Sequence, residues 1–221
     1  VSNIIDKIRN NDKTYLLENY KKCYSFDYFP NFTYEKKDIK IKKTIMMQHG
    51  KNTTIVKYNI KNKKPFTMIH GPIIHSRHFY YLNIHRSISF QQNFQDNTLF
   101  IKPENIDKTL KINLKDCIYA KKNFWETMYY EKDRNRRESW IDNALYTGYF
   151  YKKIKKPTIY YLVITIEDDI NINPSIVFST PKLFPCTWLT ESFSPKPFNS
   201  LHPKLSLMNT FITFGMACNT S

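Results

Sequence analysis

Residues 38–60, DIKIKKTIMMQHGKNTTIVKYNI, decide the fold. Ile39 and Ile41 alternate with Lys40 and Lys42, and Val56, Tyr58 and Ile60 alternate with Lys57 and Asn59. A period of two puts one set of side chains on each face of an extended chain, the pattern of a half-buried strand. Between the two runs, His49-Gly50-Lys51-Asn52 supplies a turn, so the segment reads as an antiparallel hairpin.

The alternation spreads outward from there. Leu110, Ile112 and Leu114 repeat it, and Tyr160, Leu162, Ile164 and Ile166 do so against Ile159, Tyr161, Val163 and Thr165. The last run is apolar on both faces and reads as a central strand. Four glycines are too few for so many turns, so Asn, Asp and Lys are expected to occupy them. The sequence predicts an all-β, antiparallel β-sandwich over residues 21–170. Residues 1–20 form a helical or irregular lead-in, because Ile4, Ile5, Ile8, Leu16 and Leu17 fall at helical spacing.

Composition changes near residue 175. Prolines at 181, 185, 195, 197 and 203 exclude long regular elements, so residues 171–221 are expected to be an irregular Pro/Ser-rich tail, either native or the product of a broken reading frame or truncation. The 221 residues are 41% hydrophobic and 16% aromatic, enough for a packed core.

A formal charge of +15 ordinarily suggests an anionic partner. Here the excess is mostly Lys and travels with Asn, Ile, Tyr and Phe, residues with A- and T-rich codons. Runs such as Lys36-Lys37 and Lys63-Lys64 read as solvated strand ends that discourage edge pairing. Nucleic acid is therefore not the expected partner, and a basic nucleic-acid-binding β protein ranks as a distant third reading. Cys23, Cys117, Cys186 and Cys218 form no CxxC pair and read as reduced thiols of a cytoplasmic protein. No apolar run reaches the length of a membrane span. The opening Val1 reads as the start of a piece cut from a longer chain.

The richest chemistry lies in FWETMYYEKDRNRRESWIDNALYTGYF, residues 124–150. Aromatic rings stack on the apolar faces of sugars, and carboxylates and guanidinium groups bind hydroxyls, so the stretch suits a carbohydrate-facing or domain-facing surface. The competing reading is that Trp125, Tyr129 and Tyr149 anchor a core while the charges are solvated. The candidate carbohydrate- or interface-facing residues are Arg77, Trp125, Tyr129, Tyr130, Glu131, Arg134, Trp140, Asp142 and Tyr146. Glu131, Asp133, Glu138 and Asp142 are expected to hold a loop or interface through Arg134, Arg136 and Arg137, and none is assigned a catalytic role. His70, His75, His78 and His85 cluster without accompanying Cys or acid, so no metal or cofactor is expected. His75 and Arg77 are placed on a loop facing a partner domain.

Four segments in order resemble the N-terminal domain of the bacterial and archaeal glycogen debranching enzyme family, of the amylo-alpha-1,6-glucosidase type. They are FPNFTYE (29–35), DIKIKKTIMMQHGKNTTIVKYNI (38–60), GPIIHSRHFYYL (71–82) and residues 124–150. The third keeps Arg77 of the family's Arg-Asp-x-His but has His78 and Tyr80 at the following positions. In the fourth, Asn135 or Arg136 stands where Gly follows Arg134, and Thr147 precedes Gly148 where Pro is usual. The resemblance implies a non-catalytic β-sandwich that supports or shapes the substrate cleft of a C-terminal (α/α)6 catalytic barrel. That barrel would be the partner and would carry the carboxylate pair that glycoside hydrolysis requires, with an α-glucan as candidate ligand. The alternative is a free-standing carbohydrate- or partner-binding β module.

Overall fold

The computed structural model describes residues 3–11, 13–77 and 81–169. Thirteen strands among them form two antiparallel sheets. The smaller has the order β11 (Ile118–Tyr129), β12 (Ile141–Ile154), β7 (Phe66–Ile74), β1 (Asn3–Asn10) and β2 (Lys13–Leu16). The larger has the order β3 (Lys21–Phe26), β4 (Pro30–Lys36), β5 (Ile39–Met47), β6 (Thr53–Asn62), β13 (Thr158–Thr165), β10 (Leu110–Leu114), β9 (Thr98–Pro103) and β8 (Phe90–Gln95). The expected all-β sandwich is the observed architecture.

The deciding hairpin is β5 paired with β6, with Ile41 opposite Ile60 and Ile45 opposite Val56. Its turn closes through the Gln48 N–H donating to the Thr53 carbonyl at 2.9 Å. Glu167, in the acidic run after β13, accepts the Asn52 N–H at 2.7 Å and ties that run to the turn. β13 is indeed central, flanked by β6 and β10. Turns without glycine follow the expected substitution: Asn11, Lys37, Asp96, Asn97 and Asp116 all have positive φ. Asp96 and Asn97 form the two-residue turn that matches the twist of a hairpin.

The N-terminal segment corrects the sequence reading. In place of a helix, β1 and β2 form a hairpin, and β1 also pairs with β7, Asp6 opposite His70 and Ile8 opposite Met68. A 3-10 turn follows at Leu17–Asn19. The one α-helix among the described residues is α1 (Glu131–Asn135), between β11 and β12. The predicted tail lies outside the described residues. No described helix is long and apolar enough to cross a membrane.

Ile8 and Met68 from the smaller sheet and Ile41, Ile60, Leu99 and Leu114 from the larger close the space between the layers. Each such side chain contributes about 1.5–3 kcal/mol through burial. On the outer face of the smaller sheet a second cluster joins Ile73, Ala144 and Tyr146. The Tyr146 ring lies over Gly71, which leaves no room for a Cβ there.

Candidate functional site

The functional stretch forms the long hairpin β11–β12, whose register shifts at a bulge between Lys121 and Phe124. Opposite that bulge, Gly148 has φ of +146°, and a Cβ there would collide with the Ala120 carbonyl and the Lys122 amide. Glycine is required at this position by close backbone approach.

Near the far end of the same hairpin, the carboxylate of Asp142 organises a polar constellation. The backbone amides of Asn83 and Asn143 donate to its Oδ1 at 2.8 and 3.0 Å. Its Oδ2 accepts the Tyr130 hydroxyl at 3.1 Å and lies 3.0 Å from both His75 Nε2 and Arg77 Nη2. Beside it, Asn143 Nδ2 donates to the carbonyls of Asn83 and Ile84, both at 2.9 Å. Arg86 donates to Asn143 Oδ1 and to Thr127. The effect is to clamp the segment after β7 onto the β11–β12 hairpin.

Burial of Asp142 acts to raise its pKa. The His75 hydrogen bond and charge, the Asn83 amide and the Arg77 guanidinium outweigh that burial and hold the carboxyl at about 2. Tyr130 is pushed up to about 12, by burial first and then by the adjacent Asp142 charge. The result is a carboxylate fixed as an anion with a protonated phenol beside it.

The candidate residues separate into three groups. Arg77, Tyr130 and Asp142 meet in this constellation. Tyr129, Trp140 and Arg134 sit together by α1: the Arg134 guanidinium lies 4.8 Å from the Trp140 ring, the Tyr129 and Trp140 rings are 5.7 Å apart, and Tyr129 is 67% exposed. Glu131 is exposed on α1. Trp125 and Tyr146 belong to packing. Trp125 meets Phe90 edge-on against the main core, while Tyr146 stacks on Phe124 at 4.8 Å in the outer cluster. The expected acid partners also differ from those observed. Asp142 reaches Arg77 and His75, and no acid of the described residues pairs with Arg134, Arg136 or Arg137.

A second network bridges the two sheets and was not foreseen from the sequence. Asp6 Oδ1 lies 2.7 Å from His70 Nδ1, and Asp6 accepts hydrogen bonds from Lys43 Nζ at 2.8 Å and from the Tyr58 hydroxyl at 3.0 Å. His70 Nε2 continues to the Tyr160 hydroxyl at 2.9 Å. Burial raises the Asp6 pKa, but Lys43 and His70 outweigh it and bring it to about 2. Tyr58 and Tyr160 are raised well above the ordinary phenol value by burial and by the Asp6 charge. Apolar neighbours enclose the network, and it works as a brace between the layers.

Of the clustered histidines, His70 and His75 are thus engaged by separate carboxylates, and His85 is exposed. His78 lies outside the described residues. No group of His, Cys, Asp and Glu among the described residues has a metal-binding arrangement. Two open clefts, of about 650 and 500 Å³, are lined by residues around Arg9 and Lys153 and around Asp96 and Asp116, away from Asp142.

Solved structures similar to this chain include a bacterial glucoamylase complexed with acarbose, at 10% identity and a TM-score of 0.44 over 80% of this chain and 28% of that one. A human-microbiome protein assigned as a kojibiose phosphorylase is similar at 11% identity and a TM-score of 0.38, over 81% of this chain and 25% of that one. A polysaccharide lyase is similar at 13% identity and a TM-score of 0.38, over 74% and 25%. The chain therefore spans about a quarter of the length of these structures. A search of curated proteins finds no match. The family described as glycogen debranching enzyme N terminal matches residues 11–159, well over half of the chain and including the whole β11–β12 hairpin with its Asp142 constellation; the chain belongs to that family.

Proposed function

We propose that this chain is the non-catalytic N-terminal β-sandwich of a glycogen-debranching-type glycoside hydrolase, and that it supports or shapes the substrate cleft of a separate C-terminal helical barrel. Family membership supplies the context. The observation that carries the reading is the state of the two buried acids. Hydrolysis of a glycosidic bond needs a general acid whose pKa is raised, facing a second carboxylate across the anomeric carbon. Asp6 and Asp142 are instead held at about 2 by cations and amide donors, the reverse of what proton donation requires. Their work is to fix elements in place.

The surface that meets the barrel, in this reading, is the β11–β12 hairpin with the clamped segment beside it, where Tyr129 is exposed and Arg77 donates to the carbonyl of exposed Tyr81. The α-1,6 specificity and the role in glycogen breakdown are part of this proposal, and the family match supports them. A cytoplasmic location is supported by the free thiols of Cys23 and Cys117.

Reconstitution tests the reading. A helical catalytic domain of this family, stripped of its own N-terminal domain, should gain thermal stability and turnover on glycogen limit dextrin when this chain is added. A barrel that gains neither over a range of concentrations of this chain would refute the proposal.

A further inference from the structure

The eight-stranded sheet is wider than the five-stranded sheet packed on it. At one end the smaller sheet stops at β2, which lies against β4: Lys36 Nζ from β4 stands 4.8 Å from the Tyr15 ring of β2. β3 continues beyond. Directly opposed residues of an antiparallel pair point to the same face, and Tyr24 pairs with Phe32, Lys22 with Tyr34 and Phe26 with Pro30. Tyr34 is in the core at 6% exposure, so Lys22, Tyr24 and Phe26 occupy the core-facing side of their strand. Even so, Tyr24 is 57% and Phe26 58% exposed, and Tyr28 in the adjoining turn is 74% exposed. Among the described residues, no second layer covers this inward-facing pattern.

We propose that this overhanging shelf, built on Tyr24, Phe26 and Phe32, binds an α-glucan chain. The choice of glucan rests on the function proposed above; the shelf itself rests on geometry alone. Alternate residues along a strand are about 6.8 Å apart, so Tyr24 and Phe26 offer successive rings on which hexose faces can stack. Tyr24 is braced from behind by Phe32, with ring centroids 5.3 Å apart, which limits the entropy lost on binding. Lys22, poised 5.0 Å from the Phe32 ring, supplies a donor for sugar hydroxyls at the edge of the platform. A second copy of the chain is disfavoured as occupant: the net charge of +15 opposes self-association, and Lys22 would face its own counterpart. A neutral polysaccharide meets no such repulsion.

The test is native electrophoresis of the purified chain in gels containing glycogen, with hydroxyethyl cellulose as the β-linked control. The chain should be retarded by glycogen and not by the cellulose derivative. The Tyr24→Leu/Phe26→Leu double variant keeps an apolar surface but loses the flat rings, and should lose at least nine-tenths of that retardation with an unchanged circular dichroism spectrum. If the double variant disturbs the spectrum, Tyr24→Leu alone is expected to lose at least half of the retardation. A parent chain that glycogen leaves unretarded overturns the proposal, as does full retardation of the folded variants or equal retardation by the cellulose derivative. None of these outcomes bears on the barrel reconstitution, which tests the domain's role independently.

Discussion

Arg77 Nη2 stands 3.0 Å from Oδ2 of Asp142, in a pocket where Asp142 has no exposure to solvent. The pair joins the segment that follows β7 to β12, and the same carboxylate also holds the Asn83 amide and the Tyr130 hydroxyl. Removing the carboxylate takes away the anion that Arg77 and His75 share. Breaking such a buried pair from one side costs about 3–5 kcal/mol. Asp142→Ala is therefore expected to lower the urea midpoint strongly, with Asp142→Asn intermediate because it keeps one acceptor. A midpoint unchanged in both would show that the constellation is ornamental.

Acid should find the two buried carboxylates together. Each has a folded pKa of about 2 against an ordinary value of 3.8. A depressed folded pKa contributes stability that is fully present above the unfolded value and is lost as pH falls through the folded one. Stability should thus be level near neutrality and decline between about pH 4 and pH 2, by on the order of 2 kcal/mol for each group. Asp6→Asn should flatten its share of that limb. Denaturant titrations across this range check the slope, and the same slope in parent and variant would contradict the assignment.

The aromatic stretch should divide energetically as it divides in space. Trp125 packs against Phe90 and the main core, so Trp125→Ala is expected to cost about 3 kcal/mol, the lower end for a large aromatic core side chain because the ring is only partly buried. Trp140→Ala removes a surface contact with Arg134 and Tyr129 and should cost about 0.5–1 kcal/mol. Equal costs would mean that both rings serve one role.

Two glycines offer a sharper comparison. Gly50 has φ of +68° with open space around it, and Gly148 has φ of +146° with backbone atoms of Ala120 and Lys122 where a Cβ would sit. Gly50→Ala should cost about 1 kcal/mol, the strain of a left-handed alanine. Gly148→Ala should cost at least about 2 kcal/mol more, because the obstructing backbone belongs to the paired strand. Thermal melts of the two variants settle the order.

The parts of the fold legible in the sequence are those whose inward positions are apolar. β5, β6, β10 and β13 show their period because Ile41, Ile60, Ile112 and Leu162 fill the core. β1 hid for a physical reason. Its inward residues are Ile4, Asp6 and Ile8, and the charged middle member breaks the alternation, leaving Ile4, Ile5 and Ile8 to imitate a helix. Asp6 is tolerated inside only because Lys43, Tyr58 and His70 converge on it from three other strands, and no local pattern announces partners so far apart in the chain.

The candidate site was legible in the same uneven way. Arg77, Tyr130 and Asp142 were identifiable as chemistry, and they do meet. The aromatic run marked a surface, but Trp125 packs against the main core and Tyr146 joins the outer cluster of the smaller sheet, where β12 is buried on both faces. Asn83, Asn143 and Arg86 gave no signal, since their role is to satisfy loop backbone and side-chain polar groups once the loop has closed.

Assay of the purified chain on glycogen limit dextrin and on an α-1,6-linked oligosaccharide tests the non-catalytic reading most directly. The expected result is no release of glucose above a buffer control. Turnover that persists through purification and disappears in a folded Glu131→Gln or Asp142→Asn variant would place a catalytic carboxylate in this chain and contradict the account.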